Sequence, residues 1–334
     1  MGDMKEEKKG QDEVEVDMTL RPTTWDEYVG QDKVKKNVQL IIEAAKQREE
    51  SPDHLLFYGQ AGLGKTTLAY LVGKEQGVNV RSTTGPALEK VGDVAAILSN
   101  VEPYEILFID EIHRISRAAE EVFYPALESR KLHLVVGKGP SAKTVSIDLP
   151  PFTVIGATTK ANMLSSPLRS RFGATFRLDY YSLEDIEAII LRSAHILGVR
   201  IEDGGVRSLA KASRFTPRTA NRLLRRARDY AQVHGDGVIT EGVVQNTLQM
   251  LDVDELGLEQ VDRNLLQAII EKFNGGPVGL GALSASLQEE DGTIADVYEP
   301  YLMSIGFLNR THMGRVVTRE AYQHLGIETP NELL

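Results

Sequence analysis

The 334-residue chain contains no cysteine, which excludes disulfides and thiolate-bound metals. It has no apolar run near the roughly 18 residues that a membrane-spanning helix needs. Its charged amino terminus, MGDMKEEKKGQDEVEVD, offers no apolar stretch for a secretory signal. These absences give an expectation of a cytoplasmic protein with no membrane contact. Internal repeats are also missing. What remains is ordinary for a soluble globular chain: 42% hydrophobic and 26% charged residues in 36.9 kDa, enough for two or three compact units. A formal net charge of −10 argues against indiscriminate coating of nucleic acid, yet the distribution matters more than the sum. Acids crowd the first seventeen positions and arginines gather late.

Residues 1–16 are charged and without periodicity, and are expected to be disordered. Over 17–181 short apolar runs alternate with helical patterns, which predicts an α/β unit built on a mostly parallel sheet. The expected strands are 54–58, 78–82, 106–109, 153–156 and 174–178. Residues 182–254 read as purely helical, with Ser182 and Thr240 as caps. Residues 255–334 read as a third unit: helices over 262–273, 280–288 and 293–305, the last capped by Thr293, and then a hairpin. That order is the winged-helix pattern.

Gly59-Gln60-Ala61-Gly62-Leu63-Gly64-Lys65-Thr66 has the G-x-x-x-x-G-K-[ST] spacing, and it lies between an expected strand and an expected helix. Glycines let backbone N–H groups turn toward phosphates, and the helix amino terminus adds a favourable dipole. Gly62, Leu63, Gly64, Lys65, Thr66 and Thr67 are therefore candidates to hold the phosphates of ATP. Lys65 would reach the β- and γ-phosphates, and the Thr66 hydroxyl would bind Mg2+. Some 45 residues on, an apolar strand ends in Asp110-Glu111. Asp110 is placed to hold the Mg2+, and Glu111 to polarise the attacking water, a second carboxylate that separates hydrolases from kinases. His113 reads as structural.

These strings resemble the AAA+ ATPases and, within them, the RuvB family of bacterial Holliday-junction branch-migration motors. The resemblance runs from about Val16 to Pro330. It is carried by Leu20-Arg21-Pro22, Asp110-Glu111-Ile112-His113-Arg114, the lysine-rich string 137–143, Gly156-Ala157-Thr158-Thr159, the string 166–172 and Gly275-Gly276-Pro277. Two departures stand out: Gln60-Ala61 replaces a pair of prolines, and the acidic extension is particular to this chain. The resemblance implies that Thr159 senses the γ-phosphate and that Leu20, Arg21 and Tyr181 line the adenine pocket. It implies that Arg218, opening a helix after Thr216-Pro217, is the lid's nucleotide sensor. It also implies that Arg171 is an arginine finger for the neighbouring subunit of a homo-oligomeric, hexameric ring. An ordinary surface arginine is the alternative at 171 and still more so at 169.

Two further segments are expected to meet partners. Residues 132–149 alternate on either side of 137–143 like a hairpin, with Val145, Ile147 and Leu149 on one face. The resemblance makes that face a dock for the junction-recognition protein RuvA, with the resolvase RuvC as a further partner; burial within its own unit is the alternative. In the winged helix, Asp296 and Glu299 on the third helix would repel phosphate. Arg310 and Arg315, with His312 and Arg319, are left to grip the backbone of duplex or four-way-junction DNA without sequence preference. A merely solvated basic turn is the alternative. The rival functions are a clamp-loader-like switch, which gives no reason for a winged helix, and a transcriptional ATPase regulator, against which the acidic third helix speaks.

Overall fold

The computed structural model describes residues 18–136 and 143–329. The acidic tail and the lysine-rich tip of the hairpin lie outside the described residues. The chain divides into two compact units: residues up to Ile189 together with Thr216–Arg218, and Ile190–Phe215 together with Thr219 onward.

In the first unit, helix α1 (Asp32–Gln47) precedes β1 (Leu55–Tyr58), α2 (Lys65–Gln76), β2 (Val80–Thr84), α3 (Val91–Ser99) and β3 (Ile106–Asp110). Then come α4 (Arg117–Ser129), β4 (Lys131–Val136), β5 (Lys143–Asp148), β6 (Thr153–Thr158), the short α5 (Ser166–Arg169) and β7 (Ala174–Arg177). Five strands form one parallel sheet in the order β2-β3-β6-β1-β7. Its central strands are apolar without alternation because helices cover both faces: Leu55, Leu56, Phe57, Leu107, Ile109, Val154 and Ile155 have no exposed surface. Strand β6 sits between β1 and β3, so the chain reverses its direction of travel across the sheet there. Crevices at the carboxyl ends of strands beside such a reversal are where α/β folds bind ligands.

Strands β4 and β5 pair antiparallel as a separate ribbon, Leu132 opposite Ile147 and Leu134 opposite Val145. This corrects the expected apolar docking face. Leu149 and Leu132 belong to the buried core beneath α4, and Ile147 packs half-buried against it. Val145 alone of the three is exposed, at 44%. The physical reason is continuity. The base of the ribbon extends directly from α4, so its apolar side closes over that helix's core.

The second unit holds most of the helical lid. The lid comprises α6 (Leu183–Ile196), β8 (Arg200–Ile201), α7 (Asp203–Ala212), α8 (Pro217–His234), β9 (Val238–Ile239) and α9 (Glu241–Met250). Ser182 accepts from the N–H of Asp185 and Thr240 from that of Val243, as the cap residues require. The remaining elements are α10 (Gln260–Phe273), α11 (Leu280–Leu287), α12 (Asp291–Thr293), a π-helical turn (Ile294–Tyr298), α13 (Glu299–Ser304), β10 (Leu308–Thr311), β11 (Gly314–Val317) and α14 (Arg319–His324). The third winged-helix segment thus starts two residues before Thr293, which is itself helical. It changes pitch just ahead of Pro300, which cannot donate a helical hydrogen bond. Lid and winged helix share this unit through Arg214. Its guanidinium pairs with fully buried Asp262 at 3.1 Å and lies 4.4 Å over the Tyr301 ring. Burial pushes the Asp262 carboxyl upward, and the Arg214 charge partly restores it.

Candidate nucleotide site

The phosphate loop leaves the carboxyl end of β1 and enters α2 with no side-chain cap on Gly64. The amino-terminal N–H groups of that helix are therefore left for another acceptor. Gly62 and Gly64 have φ of +82° and +93°, a region that costs other residues strain. A Cβ on Gly64 would stand 2.8 Å from the Tyr28 hydroxyl, and one on Gly62 would stand 3.1 Å from the Cβ of Arg218. The close approach at Gly62 brings the opening of the lid helix onto the phosphate loop.

Lys65 is buried at 8% exposure and donates to the carbonyls of Gly59 and Gln60 at 2.8 and 2.7 Å. Burial pushes its ammonium down to about 8; Asp110 pulls the other way, and Arg218 lowers it further. Two neutral carbonyls satisfy hydrogen bonds without carrying charge, and Asp110 offsets the burial only in part, so the site favours an anion.

Across β6, strand β3 ends in Asp110, whose carboxylate accepts from the N–H of Glu111 at 2.9 Å. Glu111 has φ of +48°, which turns it off the strand line. Its half-exposed carboxylate meets Arg114 at 3.1 Å. Between these strands β6 runs to Thr158, two residues beyond the expected end. Thr158 is buried and its hydroxyl lies 2.9 Å from His113 Nδ1. Thr159, the expected sensor, is the next residue and is exposed. Tyr181 is buried, with its hydroxyl donating to the Leu63 carbonyl at 3.1 Å and lying 3.2 Å from the Tyr28 hydroxyl. Leu20 is buried, and Arg21 lies 6.0 Å over the Tyr70 ring. Tyr28 and Thr158, which the sequence did not single out, pack beside these residues through their bonds to Tyr181 and His113.

Arg171 is not brought to this loop. It precedes the amino end of β7, which runs parallel beside β1, whereas the loop follows the carboxyl end of β1. The two lie at opposite ends of the sheet. Arg171 Nη2 meets Glu128 at 2.8 Å, and its guanidinium sits 4.4 Å over the Tyr124 ring. It borders a polar cavity of about 240 Å³ that Asp53, His54, Glu128 and Arg130 also line. His54 Nδ1 accepts the Val154 N–H at 2.9 Å, and burial lowers its pKa.

In the wing, Arg315 is 6% exposed. Its Nε and Nη2 meet the two Glu299 oxygens at 2.6 and 3.2 Å, and Glu299 is 1% exposed. Both expectations for this pair are thereby corrected. The carboxylate does not face DNA, and the guanidinium is committed to it by a two-point contact. Arg310, His312 and Arg319 are exposed. The Thr311 hydroxyl fixes the turn by accepting from Met313 and Gly314 at 3.2 Å each.

A parallel sheet with a phosphate loop on β1, a paired acid on β3 and an intervening β6 defines a P-loop ATPase of the AAA+ class. The match to known families narrows this. Residues 20–178 match the P-loop domain of the Holliday junction DNA helicase RuvB, residues 181–254 the RuvB AAA lid domain, and residues 255–326 the RuvB carboxy-terminal winged-helix domain. The Thermotoga maritima RuvB Holliday junction branch migration motor is 47% identical over 93% of this chain and 100% of its own, with a TM-score of 0.86. Lysine-to-arginine and arginine-to-alanine variants of that protein match at the same identity and TM-score, over 99% of their chains. The chain belongs to the RuvB family. Nucleotide binding with a divalent metal follows from that membership, and the site fits it: a buried lysine bonded only to carbonyls, a hydroxyl at Thr66 and a carboxylate at Asp110. No helix among the described residues is long and apolar enough to cross a membrane.

Proposed function

We propose that the chain is a cytoplasmic, ATP-driven motor that moves four-way DNA junctions. In this reading it works as a hexameric ring beside the junction-recognition protein RuvA, with RuvC able to follow. The observation that carries the reading is the succession of three RuvB domains along one chain, the first of which places Lys65, Asp110 and Glu111 at one end of a sheet. Lys65 and the N–H groups of 62–67 bind the phosphates, and Thr66 and Asp110 would hold Mg2+. That ion would neutralise charge between the β- and γ-phosphates. Glu111 takes a proton from water as its oxygen bonds to the γ-phosphorus and the bond to ADP breaks. Thr159 and Arg218 report the γ-phosphate to the lid, while Leu20, Arg21 and Tyr181 hold the base side. Arg171, at the far end of the sheet, serves the neighbouring subunit's ATP.

DNA is held through its backbone by Arg310 and its exposed neighbours in the wing. RuvA docks on the outer part of the hairpin, where Val145 is exposed. The test is ATP-dependent dissociation of a synthetic four-way junction into two duplexes, with and without RuvA. Dissociation that needs ATP and rises with RuvA supports the reading. ATP turnover that junction DNA stimulates, with no strand movement under any partner condition, would sink it.

A further inference from the structure

Arg171 is held by more than its counter-ion. Its guanidinium lies over the Tyr124 ring at 4.4 Å, and Tyr124 is itself tethered. The phenol donates to Glu120 Oε2 at 2.7 Å, and the Ser165 hydroxyl donates to the same oxygen at 2.7 Å. Ser165 caps the short helix α5, accepting from Leu168 at 3.2 Å, and Arg171 follows two residues after that helix ends. Glu120 is 5% exposed, so one buried carboxylate pins both the ring under the guanidinium and the cap of the turn that carries it. Arg171 Nη1 donates to the Pro167 carbonyl at 2.5 Å, within the same turn, and Glu128, which meets Nη2, is 59% exposed. That contact exchanges readily with another anion, since exposed ion pairs contribute little.

We infer that Tyr124 and Glu120 are positioning residues for Arg171. They hold the plane of its guanidinium so that a phosphate offered by a neighbouring subunit replaces Glu128 without reorienting the arginine. This rests on the reading of Arg171 as a finger acting in trans. A ring face attracts a cation and fixes its height, yet leaves its edge N–H groups free to donate. Preorganisation of this kind acts on the chemical step, because a misplaced donor stabilises the transition state poorly while ground-state nucleotide binding is unchanged.

The experiment uses the full chain at concentrations where rings form, measuring ATP kcat, KM and equilibrium nucleotide affinity. Tyr124→Leu keeps an apolar side chain and removes the ring face; Tyr124→Phe keeps the face and loses the tether. Each is made with Arg171 present and in an Arg171→Ala background. The expected result is a loss of about tenfold in kcat for Tyr124→Leu, with KM and affinity unchanged. Tyr124→Phe should recover part of it, the shortfall measuring the Glu120 tether, and neither change should matter once Arg171 is alanine. Equal losses in both backgrounds would mean that Tyr124 supports only the fold. Full activity of Tyr124→Leu would overturn the proposal while leaving the finger intact. If Arg171→Ala alone keeps normal turnover, the finger reading itself fails, and the positioning role with it.

Discussion

The molecule buries a cation in each of its two units, and they are satisfied in opposite ways. Lys65 in the phosphate loop has two carbonyls for hydrogen-bond partners and a pKa depressed to about 8, chiefly by burial. Arg315 in the winged helix has a carboxylate in two-point contact. Carbonyl partners satisfy donors but leave a charge that an arriving phosphate completes. A buried carboxylate removes the charge from any further use. Burial of a cation therefore says little about function until its partner is known, and here the partner divides a proposed binding group from a structural one.

The largest effects separate binding from chemistry at the first cation. Lys65→Ala should abolish nucleotide binding, whereas Glu111→Gln should bind normally and lose on the order of 10³-fold in turnover. Equilibrium binding of a fluorescent nucleotide and steady-state hydrolysis measure the two. Normal turnover in Glu111→Gln would remove it as the base.

The second cation gives the contrast. Arg315→Ala leaves Glu299 buried without its partner and should cost about 3–5 kcal/mol, seen as early melting of the second unit. Replacing the pair together, Arg315→Met with Glu299→Leu, should restore most of that stability, since a well-packed apolar pair often equals a buried ion pair. Lys65→Ala, by comparison, should melt no earlier than the parent. If Arg315→Ala instead folds normally and loses DNA affinity, the division drawn between the two cations is wrong.

A smaller change is expected at the exposed arginine of the same hairpin. Arg310→Ala should reduce the slope of log affinity against log salt by about 0.9 per engaged subunit, alike on unrelated duplexes. An unchanged slope moves the DNA contact elsewhere.

The geometry of the candidate nucleotide loop was legible in the sequence because the glycine spacing that frees its backbone N–H groups is written locally. The strand before the loop and the acid pair after β3 follow the same short-range logic. Arg315 and Glu299 are sixteen positions apart, and nothing local marks them as partners. An arginine in a short basic turn and an acid on a helix both read as solvated until packing brings them together. Leu149 was misplaced for a related reason, since alternation shows that a face is apolar but not what covers it. Strand β6 ends at Thr158, two residues past its expected end, because a strand end is what periodicity defines least well. Arg214 and Asp262, which join lid and winged helix in one unit, were unreadable because their pairing crosses what looks like a linker.

The smallest effect is the sharpest test of the Lys65 charge. With its pKa lowered from 10.5 to about 8, Lys65 binds fewer protons when folded than unfolded between those values. In that window its contribution to stability rises with pH. Phosphate reverses the sign by favouring the ammonium, so nucleotide binding above pH 8 should take up a proton and weaken as pH rises. Calorimetry of ATP binding near pH 8.5, repeated in buffers of different ionisation enthalpy, counts that proton directly. The account predicts net uptake of a sizeable fraction of one proton for the native chain and none for Lys65→Arg, whose guanidinium does not titrate. Equal uptake by both proteins, or none by either, would contradict it.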